Sequence, residues 1–212
     1  MSEGKFIVLE GIDGAGTTTQ TIRLGKYLFE KGKAYVPLLT REPTMLSEYG
    51  REIRRRLTGN LLPTEEVIHD PAYWANLFVH DRMYHINQVV EPNLRRGVQV
   101  ISDRHMLSTL AYQSAQGAKL EELAAMHQGL RVPDVTLFLR VPHDKAQQRM
   151  SQDRNGTVEY FEEESMLSRV TRQYEQAIQV VGAQQNVRII DGTLSIEEVA
   201  QKVQQEVDRL FA

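Results

Sequence analysis

The sequence predicts an α/β fold in which a five-stranded parallel sheet is flanked by helices on both faces and carries a short lid. Two observations support this. Five short apolar runs alternate with stretches of helical length along the 212 residues, and the first run leads into a glycine-rich turn and then a helical stretch. Each pair of parallel strands needs a crossover, usually a helix, so the alternation is typical of one continuous sheet. We therefore expect a single domain over residues 1–212.

The strand candidates are short and rich in residues that favour strands. They are Lys5–Leu9, Tyr35–Leu39, Val98–Ser102, Val135–Val141 and Val187–Ile190. The helical patterns lie near Thr17–Lys31, Leu46–Leu57, Glu65–Arg96, Leu120–Gly129, His143–Asp153, Glu162–Ala183 and Ile196–Leu210. The stretch from Glu65 is too long for one ordinary helix, and we expect Pro71 to interrupt it.

Composition narrows the class of protein. A net charge of −3 argues against a surface that coats nucleic acid. The absence of cysteine excludes disulfides and thiolate metal sites, and the six histidines are not at metal-site spacing with acids. The sequence has no long apolar span, and Met1–Lys5 leads into the first strand without a signal-peptide pattern. We expect no membrane partner and a cytoplasmic location.

The turn after the first strand has the spacing of a phosphate-binding loop. The pattern G-x-x-x-x-G-K-[ST] is matched at Gly11, Gly16 and Thr18, but Thr17 stands in the place of the lysine. Glycines let backbone N–H groups approach phosphate oxygens, and the N-terminus of the next helix adds about half a positive charge. The hydroxyl of Thr18 is placed to ligate Mg²⁺. The loop therefore predicts binding of a nucleoside triphosphate without the usual ammonium group.

Charged residues follow the first three predicted strands. Ligands of open α/β sheets bind at the carboxyl ends of the strands, so these side chains should meet at one edge. Two arginines and four acids at that edge suit an anionic substrate with a divalent cation. They are Arg41, Arg104, Glu10, Asp13, Glu42 and Asp103.

One predicted helix carries Trp74, Phe78 and Arg82 at four-residue spacing, which places them on one face. An aromatic stripe of this kind is usually core. A flat ring one turn from a guanidinium can also stack on a base and hydrogen-bond its edge. The sequence leaves both interpretations open.

A polar segment over about 147–164 is the candidate lid. It contains Arg149 and Arg154, and Asn155-Gly156 within it is a turn signal. A lid of this kind closes over the site, excludes water and brings arginines to the phosphates.

Several motifs together resemble the thymidylate kinase family, and they occur in the family's order over nearly the whole chain. Each motif alone is weak evidence, whereas the ordered set is specific. The motifs are Phe6–Gly16, Thr40–Thr44, Leu77–Arg82 with His85, Ser102–His105 with Ser108 and Ala111–Gln113, and Val132–Leu139.

The resemblance implies an ATP- and Mg²⁺-dependent kinase that converts dTMP to dTDP in dTTP synthesis. Phe78 would stack on thymine, Arg82 would bind its carbonyl edge, and Phe161 would pack on the sugar. The implied catalytic residues are Asp13, Arg41, Arg104 and Arg154. The implied ATP site is Gly11, Ile12, Asp13, Gly14, Ala15, Gly16, Thr17, Thr18 and Arg149. The implied dTMP site is Asp13, Arg41, Phe78, Arg82, Arg104, Ser108, Tyr112, Gln113 and Phe161.

The resemblance also implies a magnesium site at Thr18 and Asp103, and a homodimer formed through helices, with Trp74–Tyr84 as one candidate. Its partners would be dTMP and ATP.

The sequence departs from the family pattern at positions that bear on catalysis, and several outcomes for the activity are open. Besides Thr17, Gly14 stands where one branch has an arginine, Glu159-Tyr160 replaces a usual Asp-Arg pair near the lid, and His105 replaces a common tyrosine. Arg154 could replace the missing charge and keep the kinase active. Alternatively, the enzyme is slow or uses another donor, or the chain binds nucleotide with little or no turnover. A kinase for another nucleoside or monophosphate also fits.

Overall fold

A computed structural model describes residues 3–58, 70–153 and 164–212. In these ranges five strands form one parallel sheet in the order β2-β3-β1-β4-β5. The predicted sheet is confirmed, with strand bounds that differ by up to two residues. The strands are β1 (Phe6–Glu10), β2 (Pro37–Arg41), β3 (Gln99–Asp103), β4 (Val135–Arg140) and β5 (Val187–Asp191).

Strand β1 lies at the centre of the sheet and is buried on both faces. Ile7 and Leu9 pack into the larger core cluster, whereas Phe6 and Val8 pack into a second cluster with Val90. Successive strand residues point to opposite faces, so both faces of the sheet are covered. This confirms the predicted architecture and explains why β1 is apolar without alternation.

The strand order reverses beside β1. The chain passes from β1 out to the edge strand β2, returns to β3 between them, and then crosses β1 to reach β4. The carboxyl ends of β1 and β3 therefore border the crevice where open α/β sheets bind ligands. Leu9 pairs with Asp103 at that end.

Three of the described helices, those that begin at Glu48, Pro71 and Ile196, follow a residue whose side chain accepts hydrogen bonds from free N–H groups of the first turn. Asp70 caps the helix at Pro71–His85 by accepting the N–H groups of Ala72 and Tyr73. The helices are α1 (Thr17–Lys31), α2 (Glu48–Leu57), α3 (Pro71–His85), α4 (Glu91–Leu94), α5 (Met106–Ala115), α6 (Leu120–Ala125), α7 (His143–Asp153), α8 (Glu164–Val181) and α9 (Ile196–Asp208). A π-helical segment, Ile86–Val90, joins α3 to α4.

Pro71 is the first residue of α3, and Asp70 before it is extended, so no helix continues through this proline, as predicted. The earlier part of that predicted stretch, Glu65–His69, lies outside the described residues. The predicted set of helices needs one correction. Helix α5 was not predicted. It packs against α3 and α8, and seven of its ten residues are buried. A helix that is buried nearly all round lacks the one-sided apolar pattern by which helices are found in a sequence.

The predicted lid is described only in part. Its first residues belong to α7, and Glu164 is the first residue of α8. Arg154 and Phe161 lie outside the described residues. Among the helices within the described ranges, none is long and apolar enough to cross a membrane.

Candidate active site

A cleft of about 650 Å³ opens at the carboxyl ends of β1, β2 and β3. The glycine loop forms one wall, and α3 and α5 contribute to the opposite side. The cleft brings together most of the predicted site residues. These are Ile12, Asp13, Gly14, Ala15, Gly16, Thr17, Thr18, Arg41, Phe78, Arg82, Asp103, Arg104, Ser108, Tyr112, Gln113 and Arg149.

The loop needs glycine at two positions for different reasons. Gly16 precedes α1 with φ of 92°, in the left-handed region where a side chain is disfavoured. Gly14 has φ of 79°, and a Cβ there would lie 2.4 Å from the carbonyl oxygen of Ala146 in α7. An arginine side chain at position 14 would therefore need both strained backbone and movement of α7. This chain cannot carry its missing charge there in the present loop conformation.

Thr18, Asp103 and Arg41 meet beside the loop. The Thr18 hydroxyl donates to Asp103 Oδ2 at 2.5 Å, and Arg41 Nη2 lies 3.2 Å from Thr18 Oγ1 and 3.4 Å from Asp103 Oδ2. Asp103 Oδ1 is buried and has no hydrogen-bond partner among the described residues.

A hydroxyl and an unpaired carboxylate oxygen are donors that Mg²⁺ accepts, since it keeps waters and substrate phosphates as its other ligands. In the described part of the chain no group of three or more acids, histidines and cysteines could hold a metal alone. Thr18 and Asp103 therefore fit an ion that is held mainly by nucleotide phosphates and water.

Asp13 and Arg104 form an ion pair at the centre of the cleft. Arg104 Nη2 donates to Asp13 Oδ1 at 2.5 Å, while the Tyr112 hydroxyl donates to Asp13 Oδ2 at 2.7 Å. Burial lowers the pKa of the Arg104 guanidinium, but its interactions with Tyr112 and with the Asp13 carboxylate outweigh burial and raise this pKa well above its usual value. Arg104 is therefore a permanent cation held in one orientation.

A buried polar network supports the ion pair of Asp13 and Arg104. Glu10, at the end of β1, accepts the backbone N–H groups of His105 and Ser108 at 2.9 and 3.1 Å and the Ser108 hydroxyl at 2.6 Å. The Tyr174 hydroxyl of α8 lies 3.0 Å from the Gly11 carbonyl and 3.1 Å from Glu10 Oε2. The network ties the glycine loop to α5 and to the helix that follows the lid.

Phe78, Arg82 and Gln113 line the end of the cleft that is formed by α3 and α5. The half-buried ring of Phe78 lies 6.4 Å from the Trp74 ring, which is fully buried. Both interpretations of this helix face are therefore partly right: Trp74 is core, while Phe78 and Arg82 reach the cleft. Gln113 Oε1 is buried without a partner among the described residues.

Arg82 is paired with a buried carboxylate. Its Nε donates to Glu42 Oε2 at 2.8 Å, and His85 and His105 approach the other oxygen at 2.8 and 3.1 Å. Burial alone would raise the pKa of Glu42, but Arg82 and the two histidines hold it well below its usual range. The histidines thus serve a buried ion pair rather than a metal.

Two buried histidines beside this ion pair, His105 on Glu42 and His127 on Arg82, favour the neutral form in the fold. Burial lowers the pKa of His105, and burial together with the charge of Arg82 lowers the pKa of His127 to about 3. Each imidazole therefore binds fewer protons when folded than when unfolded, where its pKa is about 6.5.

We expect the protein to lose stability as the pH falls below about 6.5, by up to about 1.4 kcal/mol per pH unit for each neutral histidine. Urea unfolding between pH 7.5 and 5 measures this slope. His127→Phe should make the slope shallower, whereas the exposed His80→Gln should leave it unchanged. Equal slopes for all three proteins would contradict the assignment.

The opposite end of the cleft suits a donor nucleotide. Arg149 of α7 donates to the Gly192 carbonyl at 2.9 Å, so its guanidinium is held against the turn between β5 and α9. Leu194 and Ile196 line the same end. An arginine plane beside apolar side chains can hold an adenine ring by stacking.

Sequence reasoning missed several residues of this region. Arg54 of α2 lines the cleft, although it belongs to a run with four arginines, Arg51–Arg56, that is typical of a solvated helix face. Tyr174 and His127 come from segments far along the chain, and neither carries a local signal. Gly11, by contrast, was predicted for the ATP site but does not line the cleft; its carbonyl accepts hydrogen bonds from Arg104 and Tyr174.

A loop suited to a triphosphate and a pair of arginines suited to a second phosphate share one cleft. That pairing is typical of P-loop kinases that act on nucleotides. The family model described as thymidylate kinase matches residues 9–203. The chain belongs to the thymidylate kinase family.

Individual relatives agree over most of their length. The chain is 35% identical over 200 residues to the probable thymidylate kinase of Pyrococcus abyssi, which covers 94% of each sequence. It is 36% identical over 215 residues to the thymidylate kinase of Nitrosospira multiformis, with 99% of each covered. It is 35% identical over 169 residues to that of Desulfotalea psychrophila, with 79% of each covered.

Proposed function

We propose that this chain phosphorylates dTMP to dTDP with ATP as the donor, as a step in dTTP synthesis. The observation that carries the proposal is that a donor, Arg82, and a buried acceptor without a partner among the described residues, Gln113 Oε1, line the same end of the cleft, formed by α3 and α5. Family membership supports the same reaction.

The donor and acceptor match the edge of thymine. Its N3–H can donate to Gln113 Oε1, and its O4 can accept from the Arg82 guanidinium. Cytosine presents the reverse pattern, an acceptor at N3 and an amine at C4. The Arg82 donor would then face a donor, and the Gln113 acceptor would face an acceptor. A buried polar group left unpaired costs about 1–3 kcal/mol, which favours thymine or uracil. Phe78 supplies a ring for stacking.

The phosphate-side residues provide position and charge. Arg41 and Arg104 hold the monophosphate, and the Gly11–Thr18 backbone holds the triphosphate, so that attacking and leaving oxygens lie in line. The attacking atom is already a phosphate oxyanion, so no strong base is needed. Asp13 orients Arg104 and lies next to the transferring group.

Mg²⁺ held by Thr18 and Asp103 would neutralise charge on the β- and γ-phosphate oxygens. Arg41 faces the same two residues, so we expect it to turn toward the monophosphate when the ion and ATP are bound. A homodimer and a cytoplasmic location remain predictions from the family and the sequence.

Loss of the lysine at position 17 does not remove the other elements of catalysis. The family model and the named relatives are those of thymidylate kinases, which disfavours a binding protein without turnover. A kinase for another base is disfavoured by the donor and acceptor pattern. We therefore favour dTMP kinase activity over both alternatives.

ADP release measured with a panel of nucleoside monophosphates tests the proposal. We expect turnover with dTMP, weaker turnover with dUMP, and little with dCMP, dAMP or dGMP. Turnover with a purine monophosphate in place of dTMP would contradict the proposed substrate.

Phe78→Ala tests the base site directly. Loss of base stacking, worth about 1–3 kcal/mol, should raise KM for dTMP by about tenfold or more and leave KM for ATP unchanged. Phe29→Ala is the matched control, because that ring is 74% exposed on α1. An unchanged KM for dTMP in Phe78→Ala would place the base elsewhere.

A further inference from the structure

The buried guanidinium of Arg82 has few donors left for a ligand. Its side chain is 1% exposed. Nε and Nη2 lie 2.8 and 2.7 Å from Glu42 Oε2, Nη2 donates to Thr109 Oγ1 at 3.1 Å, and Nη1 donates to His127 Nε2 at 2.5 Å. A guanidinium carries five N–H groups. Four point at protein acceptors, and the fifth, on Nη1, has no acceptor among the described residues.

His127 is fixed in the tautomer that this contact needs. Its Nδ1 lies 2.7 Å from the Leu123 carbonyl, which can only accept, so the proton is on Nδ1 and Nε2 carries a lone pair. The ring is buried, and it does not line the cleft that Arg82 lines. His127 therefore acts behind the arginine and not on a ligand.

The other partners of Arg82 cannot replace this contact. Glu42 and Thr109 bind the Nε and Nη2 side of the fork. Without an acceptor for Nη1, the guanidinium plane of Arg82 can tilt about its ion pair with Glu42. Both N–H groups of Nη1 then become free to move. His127 is thus the described partner of Nη1, the nitrogen that carries the donor left for a base.

We propose that His127 is a positioning residue that sets nucleobase selectivity through Arg82. The inference rests on the proposed function. By taking one N–H of Nη1, His127 leaves one fixed donor, which meets the O4 carbonyl of thymine and opposes the amine at C4 of cytosine. Selectivity then depends on a rigid repulsive contact as much as on an attractive one.

Two substitutions of His127 distinguish the effect of its hydrogen-bond acceptor from the effect of its ring. His127→Phe keeps the ring and removes the acceptor, whereas His127→Gln keeps a side-chain carbonyl that can accept from Arg82. We expect His127→Phe to raise KM for dTMP by about tenfold or more and to lower the dTMP-to-dCMP ratio of kcat/KM by a similar factor. KM for ATP should not change. His127→Gln should retain most of the wild-type ratio.

Val203→Ala controls for general loss of stability. Val203 is buried in α9 and lies outside the cleft. Val203→Ala should lower the melting temperature without changing the dTMP-to-dCMP ratio of kcat/KM. A wild-type KM and ratio in folded His127→Phe would overturn the proposal, as would a loss shared equally by dTMP and dCMP. If the phenylalanine variant does not fold, His127→Asn applies the same test, because its shorter amide is out of reach of Arg82.

Failure of this inference is distinguishable from failure of the proposed function. Absence of dTMP turnover in the wild-type protein would count against the function alone. In that case the dissociation constants of dTMP and dCMP, measured by calorimetry on the same variants, replace the kinetic ratio. A ratio that falls in His127→Phe supports the positioning role, and an unchanged ratio overturns it.

Discussion

Arg104→Met should lower kcat for dTMP phosphorylation by about 10³-fold, because it removes a fixed cation beside the transferring phosphate. The guanidinium joins the Gly11 carbonyl, the Ser108 hydroxyl and the Asp13 carboxylate at 2.9, 3.1 and 2.5 Å. Its loss also leaves Asp13 with the Tyr112 hydroxyl as its remaining side-chain partner in the described structure. Steady-state kinetics with dTMP and ATP measure the effect, and thermal unfolding should show a lower melting temperature.

Arg140→Met is the matched control for this experiment. Arg140 also forms an ion pair, through two hydrogen bonds to Glu175 at 2.7 and 2.6 Å, but its side chain is exposed and does not line the cleft. It should leave kcat unchanged. The kcat of Arg104→Lys should lie between those of the wild type and Arg104→Met, since lysine keeps the positive charge but not the planar set of N–H donors. If Arg104→Met costs less than tenfold, Arg104 does not stabilise the transferring group.

Arg154→Ala should lower kcat by about 10²-fold if this arginine supplies the charge that Thr17 lacks. Arg154 lies outside the described residues, so the expectation comes from its place in the predicted lid. Thr17 itself is buried at the start of α1 and lines the cleft, which is the right place for a lysine to reach the phosphates. Thr17→Lys should therefore restore part of the activity of Arg154→Ala.

The double variant makes the test quantitative. If two groups supply the same charge, the effects of substituting them should not be additive. Arg154→Ala should therefore lower kcat much less in the Thr17→Lys background than in the wild type. Arg95→Ala, an exposed arginine on α4's end, controls for a change in overall charge. Equal costs in both backgrounds, or a silent Arg154→Ala, would rule out the compensation.

The sheet and the cleft could be predicted because their signals are local. A short apolar run followed by Gly11, Gly16 and Thr18 specifies strand, loop and helix within one segment. The carboxyl-end rule then places Arg41, Asp103 and Arg104 at the same edge, although they are far apart in sequence. The structure brings all of them together, as expected.

What could not be predicted depends on long-range packing. Helix α5 is too thoroughly buried to show a one-sided pattern, so the segment that presents Ser108, Tyr112 and Gln113 had no helical signal. His127 is 45 residues from Arg82, and Tyr174 is 163 residues from the Gly11 carbonyl. Such contacts follow from the topology of the whole sheet rather than from any local spacing.

Direct detection of dTDP tests the central claim, that this chain transfers phosphate from ATP to dTMP without a lysine in its loop. Enzyme in excess over dTMP is mixed with ATP and Mg²⁺, quenched, and the nucleotides are separated. We predict that dTMP is converted to dTDP in a single turnover, that chelation of Mg²⁺ stops it, and that Arg104→Met slows it by about 10³-fold. Binding of ATP and dTMP without any dTDP would contradict the claim and identify a nucleotide-binding protein.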